Sequence, residues 1–149
     1  GAESQEVALR ETAYHRSHFF SAYDGEKPHT LTMSLIEGKL DTQHCLDVTN
    51  KRFNRLRSEL ESDDYAVPQR IATEARDEGA RMIIYNSART PRESDNRRCH
   101  AVLHPSAFGN PSIINSGRTV SLSLTDTTVR AFFNASREEV RFERASLRL

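Results

Sequence analysis

The sequence has no tryptophan, only two cysteines, no long apolar run and no excess of charge of either sign. Cys45 and Cys99 are too few for a disulfide framework. Each sits in an apolar or strand-like stretch, so a buried free thiol is expected for both. No segment approaches the ~20 consecutive apolar residues that cross a bilayer, and no membrane contact is expected. The 21 Lys and Arg balance 21 Asp and Glu. A nucleic-acid binder usually carries a basic excess to pair with phosphates, so no direct nucleic-acid contact is expected. The same balance leaves room for a homo-oligomer without fixing one. The opening residues are polar and already helical in pattern, unlike a secretory leader. The expected location is cytoplasmic.

Several motifs are missing as well. There is no glycine-rich phosphate loop and no Gly-x-Ser-x-Gly elbow. His15 and His18 are three apart with no carboxylate between them, which is not the spacing of a zinc helix. With two scattered cysteines, no metal site is expected.

A chain of 149 residues suits one domain, residues 1–149. From about Glu3 to Phe20 the pattern is helical. Val7, Glu11, Tyr14, His15 and His18 recur at three- and four-residue spacings, and Ala8, Thr12, His15 and Phe19 form an adjacent stripe. Ser4 can cap this helix. Asp24, Gly25 and Pro28 mark a loop. Leu31, Met33 and Leu35 alternate with polar residues as a strand that Gly38 closes, and His44, Leu46 and Val48 alternate as a second strand. Thr49 or Asn50 can cap a helix with Phe53, Leu56 and Leu60 on its apolar side. Its arginines, Arg52, Arg55 and Arg57, read as a solvated face rather than a phosphate patch. Pro68 opens another helix striped by Val67, Ile71 and Ala75, which stops at Gly79. Met82 to Tyr85 is a short apolar strand, and Cys99 to Leu103 another, broken by Pro105 and a Gly109–Asn110–Pro111 turn. In the last third, Val120, Leu122 and Leu124, then Val129, Ala131 and Phe133, then Val140 and Phe142 alternate. These read as antiparallel strands with turns at Thr125–Asp126 and Asn134–Ser136. The expected class is α+β, a mostly antiparallel sheet with flanking helices.

Two polar residues stand out. Glu11 is a carboxylate in an otherwise apolar helical stripe, where it needs either a partner or a task. Ser87 follows the strongest apolar strand, a common place for functional polar groups. A turn residue and a paired helix carboxylate are the plain alternatives for Ser87 and Glu11.

The segment Tyr65 to Leu103, YAVPQRIATEARDEGARMIIYNSARTPRESDNRRCHAVL, resembles the central signature of the RES domain family. The matching elements are Tyr65, a helix with Gln69, a turn at Gly79, the strand Met82 to Tyr85, the run Tyr85-x-Ser87-x-Arg89, and a strand leading to Pro105. Upstream, Ala8 to Arg16 resembles the family's glutamate helix, with Glu11 and His15 in place. Cys45 to Asn50 resembles its apolar–Asp–apolar–Thr element. The likeness runs from about Ala8 to Phe108. The family is named for an arginine, a glutamate and a serine. The glutamate maps to Glu11 and the serine to Ser87, whereas Arg10 and Arg16 do not match the arginine's place ahead of the helix. An upstream strand and loop are therefore expected to be missing from this stretch, and its activity alone is left open.

The resemblance implies an ADP-ribosyltransferase-like split sheet that takes NAD as a substrate. The expected activity is that of a bacterial toxin that cleaves the nicotinamide–ribose bond by hydrolysis, phosphorolysis or ADP-ribose transfer to a protein. Glu11 and Ser87 are its expected catalytic residues, and Ser87, Tyr85, Arg89 and His15 its expected NAD contacts. The implied partner is a cognate antitoxin with a helix-turn-helix DNA-binding domain. The alternative is a non-enzymatic partner-binding domain derived from such an enzyme.

Overall fold

The computed structural model describes residues 1–21 and 29–147; the loop read at Asp24, Gly25 and Pro28 lies outside them. The first helix, α1, spans Gln5–Ser21. Ser4 caps it, with its hydroxyl accepting from the Val7 amide at 3.2 Å. One side of α1 carries Leu9 and Ala13 into a core with Leu122, Val129, Ala131 and Phe133 of the large sheet. The neighbouring side approaches the small sheet, so the helix sits between the two. The striping read from sequence is thus rotated. Val7 is buried and Glu11 and Tyr14 are half-buried, but His15, His18 and Phe19 face solvent.

The large sheet is antiparallel throughout, in the order β1-β5-β6-β7. Its strands are β1 (His29–Leu40), β5 (Phe108–Leu124), β6 (Thr128–Phe133) and β7 (Glu139–Glu143). In β5 and β6 the alternation of buried and outward residues follows the sequence pattern, with Val120, Leu122, Leu124, Val129, Ala131 and Phe133 all buried. Two expected breaks are absent. β1 runs through Gly38 to Leu40, and β5 runs through Gly109, Asn110 and Pro111, whose Asn110–Pro111 bond is cis. The ladder pairs Gly38 with Ile113 and Leu40 with Phe108; it carries β1 past Gly38, while residues 109–112 bulge out between the two pairs. The ladder shifts register between Leu35 and Glu37. Gly117 lies in the shifted stretch at φ +105, where an added Cβ would meet the Leu35 carbonyl oxygen at 3.0 Å. A bulge in that conformation favours glycine.

The small sheet is ordered β2-β3-β4, from Cys45–Asp47, Met82–Asn86 and Arg98–Val102. β2 runs parallel to β3, and β4 antiparallel to it. Residues Gly1 to Glu3 lie along the far side of β4. The Glu3 amide donates to the Arg98 carbonyl and the His100 amide to the Gly1 carbonyl. Cys99 is buried as expected. Cys45 is exposed, on the edge strand β2 and at the open groove between β2 and α3.

Asn50 caps the next segment as read, accepting from the Arg52 amide at 3.2 Å. That segment is not one helix. A 3₁₀ turn over Lys51–Leu56 leads into a single α-turn, α2 (Arg57–Leu60). Arg52, Arg55 and Arg57 are exposed there, as expected of a solvated face. Helix α3 (Ala66–Asp77) buries Ile71 and Ala75 against Val48 and Ile83. It ends at Gly79, at φ +80. The Ala80 amide reaches the Ala75 carbonyl at 2.8 Å and the Gly79 amide the Arg76 carbonyl at 3.0 Å. This is a Schellman ending, which a glycine in the left-handed region favours. The fold is α+β with mostly antiparallel sheets.

Candidate functional site

The site is built where α1 meets the turn after β3. Ser87 directly follows the strand Met82–Asn86 and is fully buried. Its hydroxyl oxygen accepts from the Arg89 amide at 3.1 Å and from the Thr90 hydroxyl at 3.2 Å. A serine oxygen has two acceptor positions and one proton. Both acceptor positions are used to fold the turn, and the O–H remains to donate.

Two arginines of this polar stretch turn inward. Arg97 is 8% exposed and Arg89 3%. Arg97 Nη2 donates to the Ser87 carbonyl at 2.8 Å. Behind it lies Glu61, a buried carboxylate whose Oε2 is 3.3 Å from Arg97 Nη2 and 3.2 Å from Arg92 Nε. Arg89 pairs with Asp63 at 2.5 Å. Its Cζ stands 3.5 Å from the ring centroid of Tyr14, and the Tyr14 hydroxyl donates to the same Asp63 oxygen at 2.9 Å. Tyr65 also lies within hydrogen-bonding reach of the guanidinium. The Tyr14 bond, followed by Arg89, holds the Asp63 carboxyl below its ordinary range despite partial desolvation. Burial, then the bond to Asp63, raises the Tyr14 phenol.

Glu11 precedes Tyr14 by three residues on α1, and such neighbours share a face. Its side chain is 20% exposed, and the exposed His15 places Nε2 3.7 Å from Oε2. Glu11 is close enough to Tyr85 and Cys99 to act on both. These two face each other across the β3–β4 ladder and share a side-chain hydrogen bond. Burial pushes the Tyr85 phenol up strongly, with the negative charges of Cys99 and Glu11 adding to it. Burial pushes the Cys99 thiol up to about 12, and Glu11 is the next cause.

The sequence-derived candidates therefore gather unevenly. Glu11, Tyr85, Ser87 and Arg89 lie around one junction, while His15 stands at its solvent side. Asp63, Glu61 and Arg97 belong to the same junction and carry no sequence signal, since charged residues near a helix end or in a polar loop usually point outward. Two open grooves of about 650 Å³ each lie elsewhere. One runs between the start of α1 and the β1–β5 ribbon, past His100, Phe108 and Arg118; the other lies beside β2 and α3. Neither is lined by Glu11 or Ser87. No cluster of three or more metal-ligating side chains occurs among the described residues.

The family model for the RES domain matches residues 1–125. The chain belongs to the RES domain family. The match extends beyond the Ala8–Phe108 stretch that carries the sequence resemblance, taking in the chain start and the whole of β5. In this RES domain β6 and β7 lie outside the matched residues, yet they complete the sheet on which α1 packs. A search of curated proteins finds no match. Among the described residues of the RES domain, no helix is long and apolar enough to cross a membrane.

Proposed function

We propose that this RES domain consumes NAD by cleaving the nicotinamide–ribose bond, in an ADP-ribosyltransferase-like cleft at the junction of α1 with the Ser87 turn. The observation that carries the reading is the placement of the Glu11 carboxylate beside the strand that ends at Ser87, close enough to act on Tyr85 and Cys99. Breaking an N-glycosidic bond places positive charge on the ribose in the transition state. A fixed carboxylate facing that charge accelerates the step, because it binds the transition state better than the ground state. Glu11 is assigned this role. Ser87 is fully buried as folded; opening of this junction on substrate entry uncovers the O–H left over from its turn, which donates to a ribose hydroxyl or to the nicotinamide carboxamide. Tyr85 and His15 border the cleft from the strand and helix sides. Arg89 serves it from behind, through Tyr14 and Ser87. The acceptor of the ADP-ribosyl group is water, phosphate or a protein side chain.

A cytoplasmic enzyme that drains a central cofactor needs restraint, so the reading includes a toxin held by a cognate antitoxin with a helix-turn-helix domain. Incubating the full-length protein with NAD and measuring nicotinamide release tests the chemistry. Release well above the uncatalysed background is expected. No release would favour a partner-binding domain instead. Expression alone should arrest growth, and co-expression with the neighbouring antitoxin gene should restore it. Growth unaffected by the full-length protein would remove the toxin reading.

A further inference from the structure

Arginines in an NAD site ordinarily grip the pyrophosphate through their paired donors. The surroundings of Arg89 are of another kind. Its guanidinium is covered on one face by Tyr14 and held by Asp63 through Nη2; Nη1 has no hydrogen-bond partner, but it is buried within a residue only 3% exposed. The fork as folded is closed to a ligand. Meanwhile the same residue's amide closes the Ser87 turn by donating to the serine hydroxyl. Tyr14 lies one turn beyond Glu11 on α1, and Asp63 joins Tyr14 and Arg89 from the segment just after α2.

We infer that Arg89 is a positioning residue that fixes the Glu11 helix against the Ser87 turn, with Asp63 as the clasp, and that it does not hold the phosphates of the substrate. Its kinetic consequences rest on the NAD reading above. Its structural consequence does not. The two groups it connects, a carboxylate on a helix and a hydroxyl on a turn, come from different layers of the fold. A misplacement of about 1 Å at a reacting centre is enough to cost rate heavily.

The discriminating variant is Asp63→Asn. Asp63 is 57% exposed at its side chain, so the change keeps the shape and leaves the core untouched. If Arg89 positions, kcat for nicotinamide release falls by about tenfold or more while KM for NAD stays within about twofold. Hydrogen exchange of the Arg89 amide, which is bonded to Ser87, should also quicken. Tyr14→Phe keeps the ring under the guanidinium and loses only the bond to Asp63, so a smaller loss of the same kind is expected. If Arg89 binds phosphate, freeing its guanidinium lowers KM with kcat held, and that result overturns the inference. Unchanged kcat together with unchanged amide exchange overturns it as well. If the parent protein releases no nicotinamide but Asp63→Asn still quickens exchange at Arg89, the NAD reading fails and the clasp stands.

Discussion

Arg97 donates through Nη2 to the Ser87 carbonyl at 2.8 Å, and the Ser87 amide donates back to the Arg97 carbonyl at 2.7 Å. The serine's backbone is thus fixed from both sides without using its side chain. Its hydroxyl meanwhile accepts two bonds from within its own turn. Backbone placement and side-chain chemistry are therefore separable at this residue.

That separation sets the outcome of Ser87→Ala. The Arg97 clamp survives, so the protein should fold. The Arg89 amide and Thr90 hydroxyl lose their acceptor in a buried place, and each such loss costs on the order of 1–3 kcal/mol. A clear fall in melting temperature is expected together with loss of most NAD turnover. Near-parental turnover in this variant would remove Ser87 from the site.

Glu61 and Arg97 make a second prediction through their burial. Breaking a buried pair by removing one partner costs about 3–5 kcal/mol, because the other charge is left stranded, whereas replacing both by apolar groups is often neutral. Glu61→Leu should therefore be strongly destabilised in urea unfolding. The double variant Glu61→Leu with Arg97→Met should recover much of that stability. It should not recover turnover, since the Ser87 carbonyl still lacks its donor. Full activity in the double variant would show that the clamp is dispensable.

Much of this architecture was legible in the sequence because it rests on local chemistry. Ser4, Asn50 and Gly79 act as caps and stop as read, and the alternation in β5 and β6 marks their buried faces. The failures have a common cause, which is that long-range pairing decides them. Gly38 looks like a strand end until β1 and β5 pair past it, and residues 109–111 look like a turn but form a bulge within β5. Cys45 looks buried until β2 proves to be an edge. At the candidate site, an odd carboxylate and a strand end single out Glu11 and Ser87 in the sequence. Nothing does so for Asp63, Glu61 and Arg97, because no local signal separates a charge that turns inward from its many solvated neighbours.

The two cysteines give a prediction about reactivity and pH. The thiolate is the reactive form. Cys99 is buried and its thiol is pushed up to about 12 from an ordinary 9.0, first by burial and then by Glu11. Iodoacetamide on the folded protein should modify exposed Cys45 and spare Cys99, as mass spectrometry can read. A thiol raised in the folded state contributes stability that is fully present below the unfolded value. It is lost as pH rises from about 9 through about 12, as proton linkage requires. Cys99→Ala should flatten the loss of stability over that window. Rapid labelling of Cys99 in the native protein would contradict its placement.

Glu11→Gln keeps the size and hydrogen-bonding capacity of the side chain and removes only its charge. If Glu11 were a structural ion-pair partner, that loss would lower stability. The only partner within ion-pairing reach among the described residues is His15, exposed and at 3.7 Å, and exposed pairs are worth little. Glu11→Gln should therefore melt at or slightly above the parent's temperature. A carboxylate facing a developing ribosyl cation behaves otherwise, since losing one preorganised electrostatic contact typically lowers kcat by about two to three orders of magnitude. Nicotinamide release should fall on that scale, and growth arrest should disappear with it. The same variant carries an internal check on geometry. Glu11's charge helps to raise the Cys99 thiol, so the Cys99 titration followed by NMR should shift downward in Glu11→Gln while burial still holds it high. Retained turnover would exclude the catalytic role, a large drop in melting temperature would make Glu11 a structural residue, and an unmoved Cys99 titration would deny that helix and strand meet here.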